Sequence, residues 1–249
     1  MSHFSEHGWL VVRDAFSPAR VAELSRALDA VVPPAYYARG LDGRVLELPG
    51  VSRGSATLRA HACDPAVGRL AANALAVARV RLLQDSVLIK AARDRARVEW
   101  HQDFTYLGFL EPPSIVTVRL ALTTCDRKSG CMRVLDGSHL WGLVGGVRAL
   151  QAASVESALE QLPPPLRERA ARSEIALELR PGDVTLHHCL TFHASGDNDS
   201  DEPRKTLVAR LCDAECRVEP SRLPPDARAR FLTDDAGRLT GEDFPIVTS

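Results

Sequence analysis

The 249-residue chain has no C-x-x-C pair among its six cysteines, no block of basic residues and no apolar run long enough to cross a bilayer. Cys63, Cys125, Cys131, Cys189, Cys212 and Cys216 are dispersed, so free thiols in a reducing, cytoplasmic setting are expected rather than a disulfide framework. The opening MSHFSEHGWLVV mixes His and Glu with its apolar residues and lacks the pattern of a signal peptide. With 31 basic against 32 acidic side chains and a net charge of -1, neither nucleic acid nor an anionic membrane is an expected partner. A small molecule is, with the chain acting as monomer or homodimer. Internal repeats and low-complexity linkers are also missing. The 45% of hydrophobic residues exclude disorder and suffice for one large core, so a single domain over 1–249 is expected.

Two helices announce themselves by their starts. Ser17-Pro18 supplies a cap and a first-turn proline ahead of Val21, Leu24, Leu28 and Val31, and Asp64-Pro65 repeats the device ahead of Val67, Leu70, Ala71, Ala74, Leu75 and Ala78. From Val80 the pattern changes to short runs rich in Val, Ile, Leu and Thr: VRLLQDSVLIKAA, SIVTVRLALTT, CMRVLD, EIALELR, VTLHHCLTFHAS and KTLVARLC. Between 146 and 172, SVESALEQL and LRERAARS read as a helical insertion. The expected plan is a helical support over 1–79, about seven or eight strands in a sandwich or barrel over 80–216, and an irregular tail over 217–249 that is either a lid or a wrapped terminus.

Chemistry concentrates in two places. His101 and Asp103, two apart in the strand-like VEWHQD, point to one face because strand side chains alternate. Such a pair alone is commonly a coincidence. Near the other end of the β region stands GDVTLHHCLTFHASGDN, followed by Pro203-Arg204. Two histidines and one carboxylate on one side of a metal form the facial triad of non-haem iron(II) oxygenases, which leaves octahedral positions open for a chelating keto acid and O2. A guanidinium suits the free carboxylate of that acid, because its planar fork matches carboxylate geometry. If Gly196–Pro203 joins an antiparallel hairpin, Arg204 lies opposite Ser195 on the face shared with His193, and a one-residue slip would turn it away.

These segments resemble the phytanoyl-CoA dioxygenase family of iron(II)- and 2-oxoglutarate-dependent oxygenases. The likeness runs from FSEHGWLVVRDAFSP through LLQDSVLIKAA and WHQDFTYLGF to SGCMRVLDGSHLWG and the GD…H-x-S-G…R ending. It implies a mainly β fold with flanking helices, built on a double-stranded β-helix (jelly-roll, cupin-like) core. It further implies that His101, Asp103 and His193 bind iron and that Arg204, Ser195 and Lys90 contact 2-oxoglutarate. The implied reaction hydroxylates a C–H bond of a small metabolite with O2, releasing succinate and CO2, with ascorbate supportive in vitro. Desaturation, cyclisation or epimerisation starts in the same way, and a silent binding protein on the same fold is a further alternative. Family halogenases lack the carboxylate ligand, whereas Asp103 is present here.

One position departs from the family. Where some of the best-known members carry an aromatic residue near the cosubstrate, this chain has Arg119 inside IVTVRLALTT. A charge there is costly to bury unless paired, so Arg119 either faces the cavity, toward cosubstrate or an anionic substrate group, or turns its head to water. His187 and His188 rival His193 as ligands. Parity places His187 with His193 toward the cavity and His188 toward the other layer, while His139 and Gln102 are expected to serve structure. Lys90 either reaches the cosubstrate or snorkels to the surface.

Overall fold

Ser17 and Asp64 act as their positions predict. In a computed structural model describing residues 2–38, 46–144, 160, 162–223 and 231–247, the Ser17 hydroxyl accepts from the Arg20 amide at the start of α2 (Pro18–Val31). The Asp64 carboxylate accepts from the Ala66 amide at the start of α5 (Pro65–Leu75). Between them come α3 (Ala35–Ala38) and α4 (Ala56–Ala62), and a short α1 (His3–His7) precedes them. Later helices are α6 (Phe104–Leu107) and α7 (Pro164–Ala170). The latter occupies the second half of the expected insertion; SVESALEQL lies, apart from Glu160 and Leu162, outside the described residues.

Two facing antiparallel sheets form the jelly roll. The larger runs β1 (Trp9–Val12), β9 (Val184–His188), β6 (Ile115–Ala121), β11 (Arg204–Asp213), β3 (Val80–Lys90), β13 (Ile246–Val247), and β2 (Leu46–Pro49) also pairs with β3. The smaller runs β4 (Val98–His101), β10 (His193–Ser195), β7 (Met132–Leu135), β8 (Glu174–Leu177), and β5 (Leu110–Glu111) pairs with β12 (Arg217–Val218) apart from both. Alternation sorts the larger sheet's side chains. Val116, Val118, Leu120, Val184, Leu186, Leu207, Ala209 and Leu211 pack against Val21, Leu24 and Leu28 of α2, Leu58 of α4 and Val67 and Ala71 of α5. Each leucine wholly buried here contributes roughly 1.5–3 kcal/mol. The opposite parity sends Thr117, Arg119, Thr185, His187, Arg204, Thr206 and Arg210 toward the inside of the roll.

Three expectations need correction. VTLHHCLTFHAS is not one strand: β9 ends at His188, the chain turns through 189–192, and β10 begins at His193 in the other sheet. The turn is locally satisfied, with the His188 carbonyl accepting from the Thr191 amide and the His188 ring Nδ1 from the Leu190 amide. Nor does Gly196–Pro203 close a hairpin. Ser195 pairs with Met132 in the small sheet, whereas Arg204 pairs with Lys90 in the large one, because the segment crosses between sheets. Finally, the large sheet draws β1 and β2 from the stretch expected to be only helical and β13 from the tail expected to be irregular. These strands are two to four residues long, too short to show periodicity.

His61 gives this layer a pH dependence. Its ring lies buried in α4, edge-on to Phe16 at 5.1 Å, and burial, then the Arg20 charge, pushes its pKa from 6.5 down to about 4. Between those values the unfolded chain binds a proton that the folded chain refuses, so stability falls as pH drops through the window. Chemical denaturation from pH 7 to 4 should show that decline, and His61→Phe should flatten its steepest part; an unchanged slope in the variant would contradict this assignment.

Candidate metal centre

His101 ends β4, Asp103 follows two residues later at the start of α6, and His193 begins β10 directly opposite His101. Their ligand atoms all lie within 4.8 Å of one another, and His101 Nε2 and His193 Nε2 stand 3.6 and 3.8 Å from Asp103 Oδ1. Both rings are oriented by backbone. His101 Nδ1 lies 2.8 Å from the Glu99 carbonyl and His193 Nδ1 3.0 Å from the Thr191 carbonyl. A carbonyl only accepts, so each Nδ1 carries the proton and each Nε2 keeps its lone pair for a metal. Burial, with the charges of His101 and His187, holds the His193 pKa well below its usual value, so this imidazole stays neutral as a ligand must be.

Asp103 is held from the other side. Its Oδ2 accepts from Thr117 Oγ1 at 2.7 Å and lies 3.3 Å from His187 Nε2 and 3.7 Å from Arg210 Nε. Burial alone would raise its pKa, but Arg210 and the histidines overcome that and keep it well below the carboxylate range. The carboxylate is thus ionised, with Oδ1 alone turned to the two imidazoles. Of these three holders, Thr117 and Arg210 escape the motif reading. The available signal was parity: Thr117 with Arg119 in IVTVRLA, and Arg210 with Arg204 in RKTLVAR, are polar residues on one face of otherwise apolar strands.

The other expected residues are placed as follows. Arg204 is 1% exposed; its Nη1 donates to the Gly130 carbonyl, while Nε and Nη2 have no partner among the described residues. A buried guanidinium with two unpaired donors fits an anion such as a carboxylate. Ser195 is buried two residues beyond His193 on β10. Lys90, fully buried, neither snorkels nor points freely inward: its ammonium donates to the carbonyls of Ala96, Ser195 and Gly196. Burial, then Arg204, pushes its pKa down to about 6. Arg119 is buried, with Nη1 donating to Met132 Sδ of the facing sheet, so its head is inside the roll and not in water. Gln102, on the far side of its strand end, donates to the carbonyls of Gly142 and Leu190 and accepts from the Val144 amide. His188 faces away, toward Phe4 and His139.

A jelly roll that presents two neutral imidazoles and one ionised carboxylate on one wall, with an unpaired guanidinium deeper in, defines the class of double-stranded β-helix proteins with an open facial triad. The chain belongs to the phytanoyl-CoA dioxygenase (PhyH) family, whose model matches residues 4–206. Peroxisomal phytanoyl-CoA dioxygenase of Bos taurus is 29% identical over 134 residues, 51% of this chain and 36% of that protein. A probable alpha-ketoglutarate-dependent hypophosphite dioxygenase of Stutzerimonas stutzeri is 32% identical over 114 residues, 45% of this chain and 38% of that one. The chain thus spans little more than a third of the length of these curated relatives. Among solved structures, the non-heme alpha ketoglutarate dependent epimerase SnoN from nogalamycin biosynthesis matches with a TM-score of 0.77 at 25% identity, covering 99% of this chain and 96% of its own. The carbocyclase SnoK from the same biosynthesis matches with a TM-score of 0.79 at 25% identity, covering 99% and 94%.

Removing the hydroxyl that fixes Asp103 should loosen the metal without unfolding the chain. Thr117→Val is expected to weaken Mn(II) or iron(II) affinity roughly 10- to 100-fold, as loss of an outer hydrogen bond to a ligand does. Titration calorimetry checks this, and wild-type affinity in the variant would deny Thr117 the role.

Proposed function

We propose that this protein is a non-haem iron(II)- and 2-oxoglutarate-dependent dioxygenase that hydroxylates an unactivated C–H bond of a small-molecule metabolite. The observation that carries the reading is the convergence of His101, Asp103 and His193, with a buried, unpaired Arg204 in the same interior. His101 and His193 would hold iron(II) through Nε2 and Asp103 through Oδ1. Held there, the metal would supply the oxidising power with the keto acid and O2, the keto acid being converted to succinate and CO2.

Arg204 binds the far carboxylate of the keto acid through its unpaired Nε and Nη2, and the Ser195 hydroxyl, two residues beyond His193, is a second contact for the keto acid. Lys90 supports them by fastening the carbonyls of Ser195 and Gly196, which fixes the backbone that carries Ser195. Thr117, His187 and Arg210 keep Asp103 from rotating. Substrate enters from the side of His101, the most exposed of the three ligands, past Tyr106, whose ring lies edge-on to His101 at 6.3 Å and is 71% exposed. Ascorbate is expected to support turnover in vitro. The working form is a cytoplasmic monomer or homodimer without nucleic-acid or membrane partners, a reading supported by the balanced charge and by six free cysteines, which a reducing compartment maintains.

A second outcome on the same machinery is favoured by a specific observation. The epimerase SnoN and the carbocyclase SnoK both match over 99% of this chain. Epimerisation or cyclisation of a secondary metabolite, or desaturation, would use the same residues, and product mass separates them: gain of oxygen, loss of two hydrogens, or no change. A silent binding protein is disfavoured because the three ligand positions and the cosubstrate arginine are retained together.

The test is coupling. With iron(II), ascorbate and a substrate panel, succinate should form in step with a product, stop after chelator treatment and return on adding iron(II). His193→Ala should abolish it, and Arg204→Met should lower the affinity for 2-oxoglutarate roughly 10- to 100-fold, the worth of a charge-assisted hydrogen bond. Turnover supported by another divalent metal without 2-oxoglutarate consumption would defeat the proposal.

A further inference from the structure

The interior of the roll holds more positive charge than the reading above uses. Arg119 and Arg204 are both buried, and among the described residues neither forms an ion pair with a carboxylate; Lys90, whose pKa burial pushes down to about 6, adds little charge to theirs near neutral pH. Lys90 is satisfied by backbone carbonyls. Arg204 has one carbonyl, and Arg119 has only the thioether of Met132, a weak acceptor that neutralises no charge. Asp103, the carboxylate of this interior, is already engaged by Thr117, His187 and Arg210. Two buried guanidinium groups without an anion are expensive. Burial, then the charge of Arg204, pushes the Arg119 pKa down to about 10.

The registers order these groups along the roll. Thr117 pairs with His187 and with Arg210 at the level of the metal, and on the facing sheet Val134 pairs with His193 at that level. Two residues further in on the large sheet is Arg119; two further in on the facing sheet is Met132, which takes its head. Two residues beyond Met132 is Gly130, which takes the head of Arg204. The two steps within strands, from Thr117 to Arg119 and from Val134 to Met132, are each about 6–7 Å, and Gly130 lies in the turn just beyond. Four staggered carbon–carbon bonds of about 1.5 Å set the ends of a five-carbon diacid roughly 5 Å apart. A keto diacid chelated at the metal therefore brings its far carboxylate to the gap between the two guanidinium groups.

We infer that Arg119 is a second cation for the far carboxylate of the keto acid, gripping it jointly with Arg204. The inference rests on the 2-oxoglutarate reading above and deepens it: two guanidinium groups, not Arg204 alone, meet the far carboxylate. It is a binding residue toward the cosubstrate, and it makes the site more demanding of a dianion.

The test is binding rather than turnover, by calorimetry on the Mn(II)-loaded chain with 2-oxoglutarate and with 2-oxopentanoate, which has the same carbon count but no far carboxylate. Arg119→Met should lose roughly 10- to 100-fold in affinity for 2-oxoglutarate and less than about threefold for 2-oxopentanoate, with Arg119→Lys in between. Wild-type 2-oxoglutarate affinity in Arg119→Met overturns the inference, and so does an equal loss for both acids, which would place Arg119 at the chelating end. Should Arg119→Met fail to bind Mn(II), Arg119→Lys carries the same comparison, since it keeps the charge but loses the fork. A wild-type chain that binds Mn(II) but no 2-oxoglutarate would instead defeat the underlying functional reading.

Discussion

The chemistry of this molecule depends on how the Asp103 carboxylate is shared between two sheets. It sits at the end of a small-sheet strand, yet Thr117, His187 and Arg210, which hold its Oδ2, come from three neighbouring strands of the large sheet. The carboxylate is therefore both a metal ligand and a cross-link between the walls of the roll. Its outer oxygen is spoken for, so the inner one is presented at a fixed angle. His101 and His193 meet it because their strands pair at those two residues. Take away the cross-sheet hydrogen bonds and the strand pairing would still align the histidines, but their third partner would be free to swing.

Charge placement follows from the same arrangement. A buried carboxylate tolerates its environment here because a guanidinium, a hydroxyl and imidazoles surround it, whereas deeper in the roll Arg119 and Arg204 form no ion pair with a carboxylate among the described residues. Interiors of low polarity do not leave such an imbalance at rest cheaply. It is stable when a diffusible anion completes it, and the helices packed on the outer face of the large sheet supply the apolar burial that offsets its cost.

Much of this was legible in the amino-acid sequence, and the pattern of misses is physical. Helix starts were readable because Ser17-Pro18 and Asp64-Pro65 encode caps locally. The jelly roll and family followed from motifs spread along the chain, as did the coming together of His101, Asp103 and His193. The path between His187 and His193 was not legible, because a continuous β-prone run conceals a change of sheet when no Gly or Pro punctuates it. That concealment produced the hairpin register for Arg204, whose true neighbour Lys90 lies far away in sequence. Short edge strands such as Ile246–Val247 owe their extended shape to the partner they pair with, here β3, and not to their own residues.

The middle residue of the H-x-D motif carries a consequence of its own. Gln102, wholly buried on the side away from the metal, ties the backbone of Gly142, Val144 and Leu190 together, so the strand end that carries two metal ligands also anchors the segment after Trp141 and the buried turn between the two sheets. Trp141 and Val144 of this segment also pack against Trp100, Leu135 and Phe192, whereas Leu140 and Leu143 stand exposed. The main chain beside the H-x-D motif is therefore pinned twice, by an amide and by apolar contact, and evolution is left only the exposed side chains to alter without tugging on the ligands.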